Sequence, residues 1–338
     1  MTKKLLVIRN DKIGDFMLCF PAFAMLKQSA PDLEITALVP QYTAELAKLC
    51  PSIDHIIIDN KDEQTLQAVK NGGFSASITF VSDWYNAKLT WQSGIKYRLA
   101  PATKLFQFLY NQRLTQRRSR SEKAEFEYNL ELARRFLSDH AYAVVEPKEP
   151  YLAFSSEQIA KKRTELSACL GLDECKKWLF VHSGTGGSAT NLSLAQYAQL
   201  VQGIRAEVDC QVILTAGNLN EAENATKLAE MIALPNVAIY AKNNGLGDFA
   251  LALACADLFI AGSTGPLHIS GALNVPTVGF YPSRLSAIPR RWRPINQADK
   301  HIAFCPPTGK ATEKNLTLID ISLALREIVP FVEKMWRA

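Results

Sequence analysis

The 338-residue chain has no C-x-x-C pair, and its seven cysteines are scattered and odd in number. That excludes a disulfide framework and a structural zinc site, and it suits a reducing compartment. No apolar run approaches the length of a membrane span. Lys3-Lys4 is followed by only four apolar residues before Arg9, too few for a signal peptide, so a cytoplasmic protein is expected. There is no D-x-D triplet and no G-K-[ST], which excludes a metal-bridged diphosphate site of that type and a Walker A loop. No repeat and no low-complexity tract occurs. The excess of basic residues is mild (38 Lys and Arg against 33 Asp and Glu), favouring anionic partners without demanding nucleic acid. One absence is local: between Asp83 and Glu122 there is no acidic residue at all.

What is present is a chain with 48% hydrophobic residues, enough to bury sizeable cores, and two domains' worth of length. Apolar runs near 4–8, 34–39, 54–58 and 76–81 read as strands, with helical periodicity at 16–29, 42–49 and 125–137. In the second half, WLFVHSG, QVILTAGN, VAIYA, DLFIAGS and TVGFYPS are strand-like, and 194–206 and 221–233 are helical. Strands alternating with helices predict parallel sheets covered on both faces, hence an α/β fold of two Rossmann-like domains facing a cleft. The seam is placed at 150, in VEPKEPYL, giving domains 1–150 and 151–315. The stretch 316–338 reads as an amphipathic helix interrupted at Pro330, packing back on the first domain.

Ligands of such sheets sit outside the carboxyl ends of strands. The first strand runs into RNDKIGDFMLCFP, where Gly14 lies between Lys12 and the carboxylate of Asp15. By position Asp15 could simply cap a helix beginning near Phe16. A second strand end is VHSGTGGSATN (181–191), whose glycines admit close backbone approach and whose hydroxyls offer donors ahead of a helix. Its Gly184-x-Gly186-x-x-Ala189 spacing matches a dinucleotide fingerprint, but no acid ends the next strand to hold a ribose. A third end is Gly262-Ser263-Thr264-Gly265, followed by Pro266 in a first helical turn and by His268. Simple capping would explain Ser263 and Thr264 equally well, and a lone histidine is more often structural than catalytic.

Together these segments resemble glycosyltransferase family 9, the heptosyltransferases of lipopolysaccharide inner-core synthesis. The resemblance is carried by Arg9…Asp11…Ile13-Gly14-Asp15…Pro21 and by Ser263-Thr264-Gly265-Pro266-x-His268-x-x-x-Ala272, with VHSGTGGSATNLSLAQYAQL and LTAGNLNEAE in order between them. It implies a GT-B fold and inverting transfer of a sugar from a nucleotide-diphosphate donor, usually ADP-heptose, to a Kdo or heptose hydroxyl of the core. It implies Asp15 as the general base, with Asp11 as competitor, and Lys12 and Gly14 beside the acceptor. The donor diphosphate then falls to Ser183, Gly184, Thr185, Gly186, Thr190, Ser263, Thr264, Gly265 and His268, with ribose near Glu221 and the nucleobase near Leu246. No cofactor and no metal is expected.

Thr190 stands where the family usually carries a lysine, and Ser263 where many members carry an aspartate, so heptose or a related hexose is open as donor sugar. The acid-free run holds Lys88, Lys96, Arg98, Lys104, Arg113, Arg117, Arg118 and Arg120, interleaved with aromatics. A solvated surface is the plain reading; Arg117, Arg118 and Arg120 fall in a segment that family members use near the acceptor. The expected partners are a nucleotide sugar, the lipid A–Kdo core oligosaccharide and the anionic cytoplasmic face of the inner membrane, with no nucleic acid. An NAD(P)-dependent oxidoreductase and a non-catalytic nucleotide-sugar-binding protein stand as alternatives.

Overall fold

The computed structural model describes residues 3–186 and 190–337, and the chain divides into two compact units between Leu152 and Ala153. Gly187, Ser188 and Ala189 of the second motif lie outside the described residues. In the first unit the elements run β1 (Lys4–Ile8), α1 (Ile13–Met17), α2 (Phe20–Ser29), β2 (Glu34–Val39), α3 (Ala44–Leu49), β3 (His55–Ile58) and α4 (Glu63–Asn71). They continue β4 (Ala76–Thr79), α5 (Trp84–Gln92), β5 (Tyr97–Pro101), β6 (Gln112–Leu114) and α6 (Glu125–Asp139). All six strands pair in parallel, in the order β3-β2-β1-β4-β5-β6. Leu5, Leu6, Val7 and Ile8 are wholly buried, as a strand covered on both faces requires.

The helix expected over 16–29 is two helices. Leu18 and Cys19 separate them, and Pro21, which has no N–H to donate, sits in the first turn of α2. α1 begins at Ile13 with Lys12 at its N-cap, so Asp15 is the third helical residue and not the cap.

The second unit repeats the plan: α7 (Ser156–Leu170), β7 (Trp178–His182), α8 (Leu194–Glu207), β8 (Gln211–Thr215), α9 (Leu219–Ile232), β9 (Val237–Tyr240) and α10 (Leu246–Leu253). Then come β10 (Leu258–Gly262), α11 (Gly265–Ala272), β11 (Thr277–Phe280), α12 (Pro289–Trp292), β12 (His301–Phe304) and α13 (Ile321–Arg337). The sheet order is β12-β11-β10-β7-β8-β9, again parallel. Ser155 and Ser193 open α7 and α8 through capping boxes with Gln158 and Gln196. In each sheet the order reverses beside its first strand, between β1 and β4 and between β7 and β10. Those two switch points are where ligands of open α/β sheets bind.

The C-terminal helix departs from expectation twice. It runs through Pro330 without interruption, and it buries Ile321, Ala324, Ile328, Phe331 and Val332 in the core of the second unit, against α8. The described part of the segment, 316–337, therefore belongs to the second unit's core: a continuous apolar stripe docked on that sheet's helices outweighs the hydrogen bond that Pro330 removes. Ile328→Ala, which empties a wholly buried site, should cost about 2–5 kcal/mol. Thermal or denaturant unfolding of the second unit checks this, and a change near zero would refute the docking.

Candidate functional site

At the switch point of the first sheet the chain leaves β1 at Arg9, whose guanidinium is buried. A buried cation needs charge partners, and Arg9 has three. Its Nε donates to Asp11 Oδ1 at 2.7 Å, one terminal nitrogen donates to Asp15 Oδ1 at 2.5 Å, and the other lies 3.6 Å from Glu125 Oε1. Burial works against the charge on Arg9, but these carboxylates outweigh it and hold the group protonated above its ordinary value. Glu125 opens α6 and is 2% exposed; its Oε1 also accepts from Arg118 at 2.6 Å. Arg118 is held further by Gln116 Oε1, at 2.8 and 3.0 Å, and by the Phe80 carbonyl at the end of β4, at 3.3 Å.

This arrangement gives Asp15 an unusual environment. Burial pushes its carboxyl up, Arg9 pulls it down, and Asp11 and Glu125 push it up again, leaving it at about 6. Oδ1 faces Arg9, while Oδ2 has no hydrogen-bond partner among the described residues. No side chain caps α1, so the capping reading of Asp15 does not hold. Asp11 is bound to Arg9 through Nε and sits in the turn outside the helix.

Of the expected acceptor residues, Lys12 and Arg117 are exposed, Gly14 is half-buried in α1, and Arg120 is an exposed arginine 3.7 Å from Glu122. Arg118 is not an open cation; its guanidinium is taken up within the Glu125 and Gln116 network. Sequence reasoning passed over Glu125 and Gln116. Glu125 reads as a commonplace first-turn glutamate, and only its burial against two arginines marks it.

In the second unit the loops after β7 and β10 are brought side by side, because Ala261 pairs with His182 in the ladder. Asn191 ties them: its Nδ2 donates to the Ser183 carbonyl, its Oδ1 accepts from Tyr197, and a Cβ on Gly262 would lie 2.7 Å from that oxygen. Ser183 and Thr185 are half-buried, and Thr190 is exposed. Glu221, at the start of α9, reaches across to this loop. Oε1 accepts from the Gly186 N–H at 2.9 Å and Oε2 from the Gly217 N–H at 2.8 Å, and a Cβ on Gly184 would come within 2.3 Å of its carboxyl carbon. Both Glu221 oxygens, expected near a ribose, are thus clamping backbone. Gly186 itself has a positive φ of 56°, which glycine adopts without strain.

Thr264 is the N-cap of α11, yet its hydroxyl turns back to the Gly262 carbonyl and caps nothing. The first-turn N–H groups of α11 therefore carry no side-chain cap, the arrangement in which a helix start accepts an anion. Gly265 opens the helix, and Ser263 is half-buried with its N–H on Phe280. His268 is buried, its Nδ1 lacks a partner among the described residues, and burial lowers it to about 4, so it is neutral. Leu246 opens α10, which packs against α11, and is partly buried. Among the described residues no group of three or more His, Cys, Asp or Glu is placed to hold a metal ion.

Two parallel six-stranded sheets of this order, with chemistry concentrated at each switch point, define the GT-B class of glycosyltransferase architecture. Within that class, residues 64–317 match glycosyltransferase family 9 (heptosyltransferase), and the chain belongs to this family. A Haemophilus influenzae protein named in general terms as a glycosyltransferase is 60% identical over 341 residues, covering 99% of this chain and 98% of that protein. Lipopolysaccharide heptosyltransferase 1 of Campylobacter coli is 24% identical over 293 residues, 82% of this chain and 83% of that protein. The fold is shared with E. coli ADP-heptose lipopolysaccharide heptosyltransferase II (TM-score 0.77, 19% identity, 98% of this chain and 99% of that chain). It is also shared with the E. coli heptosyltransferase WaaC solved with ADP (TM-score 0.73, 16% identity, 97% and 99%).

Glu221→Ala removes the acceptor of two loop amides, so the Gly186 and Gly217 N–H groups should exchange with solvent faster. The cost should be about 1–3 kcal/mol of local stability. Unchanged exchange at both glycines would show that the clamp is not formed in solution.

Proposed function

We propose that this glycosyltransferase moves a sugar, with inversion, from a nucleotide-diphosphate donor, ADP-linked, to a hydroxyl of the lipopolysaccharide inner core, with Asp15 as general base. The observation that carries the reading is the carboxyl of Asp15. It stands at the β1/β4 switch point, raised to about 6, with one oxygen anchored on Arg9 and the other without a partner among the described residues. A base that takes a proton from a sugar hydroxyl near neutral pH needs this combination of ionisation and basicity. In the proposed step Oδ2 takes the acceptor hydroxyl proton as that oxygen bonds to the anomeric carbon. The carbon–oxygen bond to the β-phosphate breaks, and its electron pair leaves with the nucleotide diphosphate.

Support for the leaving-group site comes from the second unit, where the uncapped start of α11, beside the glycine loop that Glu221 holds in place, provides N–H donors for developing negative charge. Thr185 and Thr264 flank these backbone groups, with Leu246 on the nucleobase side. Neutral His268 serves as packing under the helix rather than as a charge. No step of this reading passes through a metal or another cofactor. Lys12, Gly14, Arg117 and Arg120 are assigned to the acceptor side, without Arg118. Because Thr190 and Ser263 replace a cation and a carboxylate, heptose or a related hexose is the donor sugar. The enzyme works as a peripheral protein at the cytoplasmic face of the inner membrane; among the described residues no helix is long and apolar enough to cross a membrane.

Differential melting with ADP-, UDP- and GDP-sugars, followed by turnover assays, tests the donor assignment: an ADP-sugar should raise the melting temperature and be transferred. Stabilisation by no nucleotide sugar would overturn it. Asp15→Asn should cut turnover by roughly 10²–10⁴-fold while nucleotide binding persists. Since the folded-state carboxyl of Asp15 lies above its ordinary value, its ionised form is the penalised one from about pH 4 upward. Asp15→Asn is therefore expected not to lower the melting temperature at pH 7; a parallel loss of fold would indicate a structural role instead.

The pH profile supplies a further check. kcat/KM should rise as pH increases through about 6 and level off above, as Asp15 ionises. Glu125→Gln removes one of the charges that hold the Asp15 carboxyl up, so the acid limb should move to lower pH and the plateau should fall. An acid limb that stays in place in this variant would separate Glu125 from the base.

A further inference from the structure

The first unit carries a surface that the proposed transfer does not use. Helix α5 buries Asn86, Ala87, Leu89 and Thr90, and among its exposed residues Trp84, Lys88 and Trp91 recur at i, i+4 and i+7, with Gln92 beside them. That spacing is one stripe along the helix. Water-facing stripes normally carry charged side chains, yet here the two tryptophans are 56% and 53% exposed. After β5, the short turn Leu105–Leu109 packs back on the same helix. Phe106 and Leu109 sit against Ala87 and Tyr110, and the Phe106 ring meets Trp84 edge-on at 6.5 Å. Its other two apolar residues are left outside: Leu105 is 92% exposed and Phe108 is 66% exposed.

Within the segment that carries this apolar patch the charges have one sign. Lys88, Lys96, Lys104 and Arg113 are all exposed, and no acid lies between Asp83 and Glu122. Asp83 itself is the N-cap of α5, its carboxylate accepting from the Asn86 N–H. Tryptophans beside lysines, with a leucine and a phenylalanine at a turn tip, match the polarity gradient from phosphate headgroups to acyl chains. A second copy of the chain is a poor occupant, because a two-fold contact would set the same lysines against each other.

We propose that this surface docks the protein on an anionic phospholipid bilayer. Leu105 and Phe108 enter the acyl boundary, Trp84 and Trp91 lie at headgroup level, and Lys88, Lys96 and Lys104 face lipid phosphates. Its purpose rests on the reading of the acceptor as lipid-linked, but docking itself is measured without any sugar transfer.

The test uses the full chain with vesicles of phosphatidylcholine alone and of phosphatidylcholine mixed with phosphatidylglycerol. The wild type should co-sediment with the anionic vesicles, with tryptophan emission shifted to the blue, and should detach at high salt. The double variant Leu105→Ser/Phe108→Ser, whose changes are on the surface and should leave the melting temperature unchanged, should partition more than about tenfold less. Lys88→Gln/Lys104→Gln should remove the preference for anionic lipid. Absence of vesicle binding by the wild type, or equal binding by the double variant, overturns the proposal. So does a wild-type dimer in light scattering that the double variant dissociates. Transfer to a water-soluble core fragment should be the same for wild type and double variant. If the wild type transfers to no acceptor while still binding anionic vesicles, the reading of the acceptor falls and the docking surface stands.

Discussion

The buried guanidinium of Arg9 is the constraint from which the rest of the first unit's site follows. Taking a cation out of water at the end of β1 is costly, and it persists only because carboxylates converge on it from three places: the turn, α1 and α6. Those carboxylates in turn fix where the elements stand. α6 must present Glu125 inward, and Arg118 must come to the same Glu125 oxygen that faces Arg9, since a buried carboxylate shared between two arginines is tolerable and an unpaired one is not. The outcome for Asp15 is a balance. An arginine contact by itself makes a carboxylate a feeble base, but burial and two neighbouring acids restore its basicity. Its geometry and its proton affinity thus come from the same ion cluster.

The proposed anion site of the second unit rests on different means. It uses backbone rather than charged side chains: glycines that let the loop approach, a glutamate that clamps the loop's amides, and a helix start that no side chain caps. The neutral state of His268 belongs with this, because a buried imidazole without a partner releases its proton sooner than it keeps a charge. Electrostatic stabilisation by fixed dipoles needs no reorganisation when charge develops.

The acid-free run of the first unit proves to be several things. Arg98 is half-buried, donating to the carbonyls of Ile95 and Leu109, and Arg118 belongs to the ion cluster. Lys88, Lys96, Lys104 and Arg113 remain outside, beside tryptophans and the exposed turn. A charge run in a sequence is therefore not one surface; the fold sorts its members between the interior and the solvent.

By itself the sequence determined the alternation of strand and helix, the two-unit α/β plan and the family, and it set three motif turns at strand ends. Those features rest on local periodicity and turn residues, which a chain displays wherever it is read. Strands β5, β6 and β12 were not legible. Tyr97-Arg98-Leu99-Ala100-Pro101 mixes a charge and a proline into a strand, and Gln112-Arg113-Leu114 is too short to show a period. Only the tertiary structure decided that Asp15 lies within α1 rather than capping it, that Glu125 and Arg118 close the ion cluster, and that the last helix passes through Pro330 to join the second core. Each depends on burial and pairing between residues far apart in the chain. The energy of such contacts belongs to the packed elements and leaves no periodic trace in either segment alone.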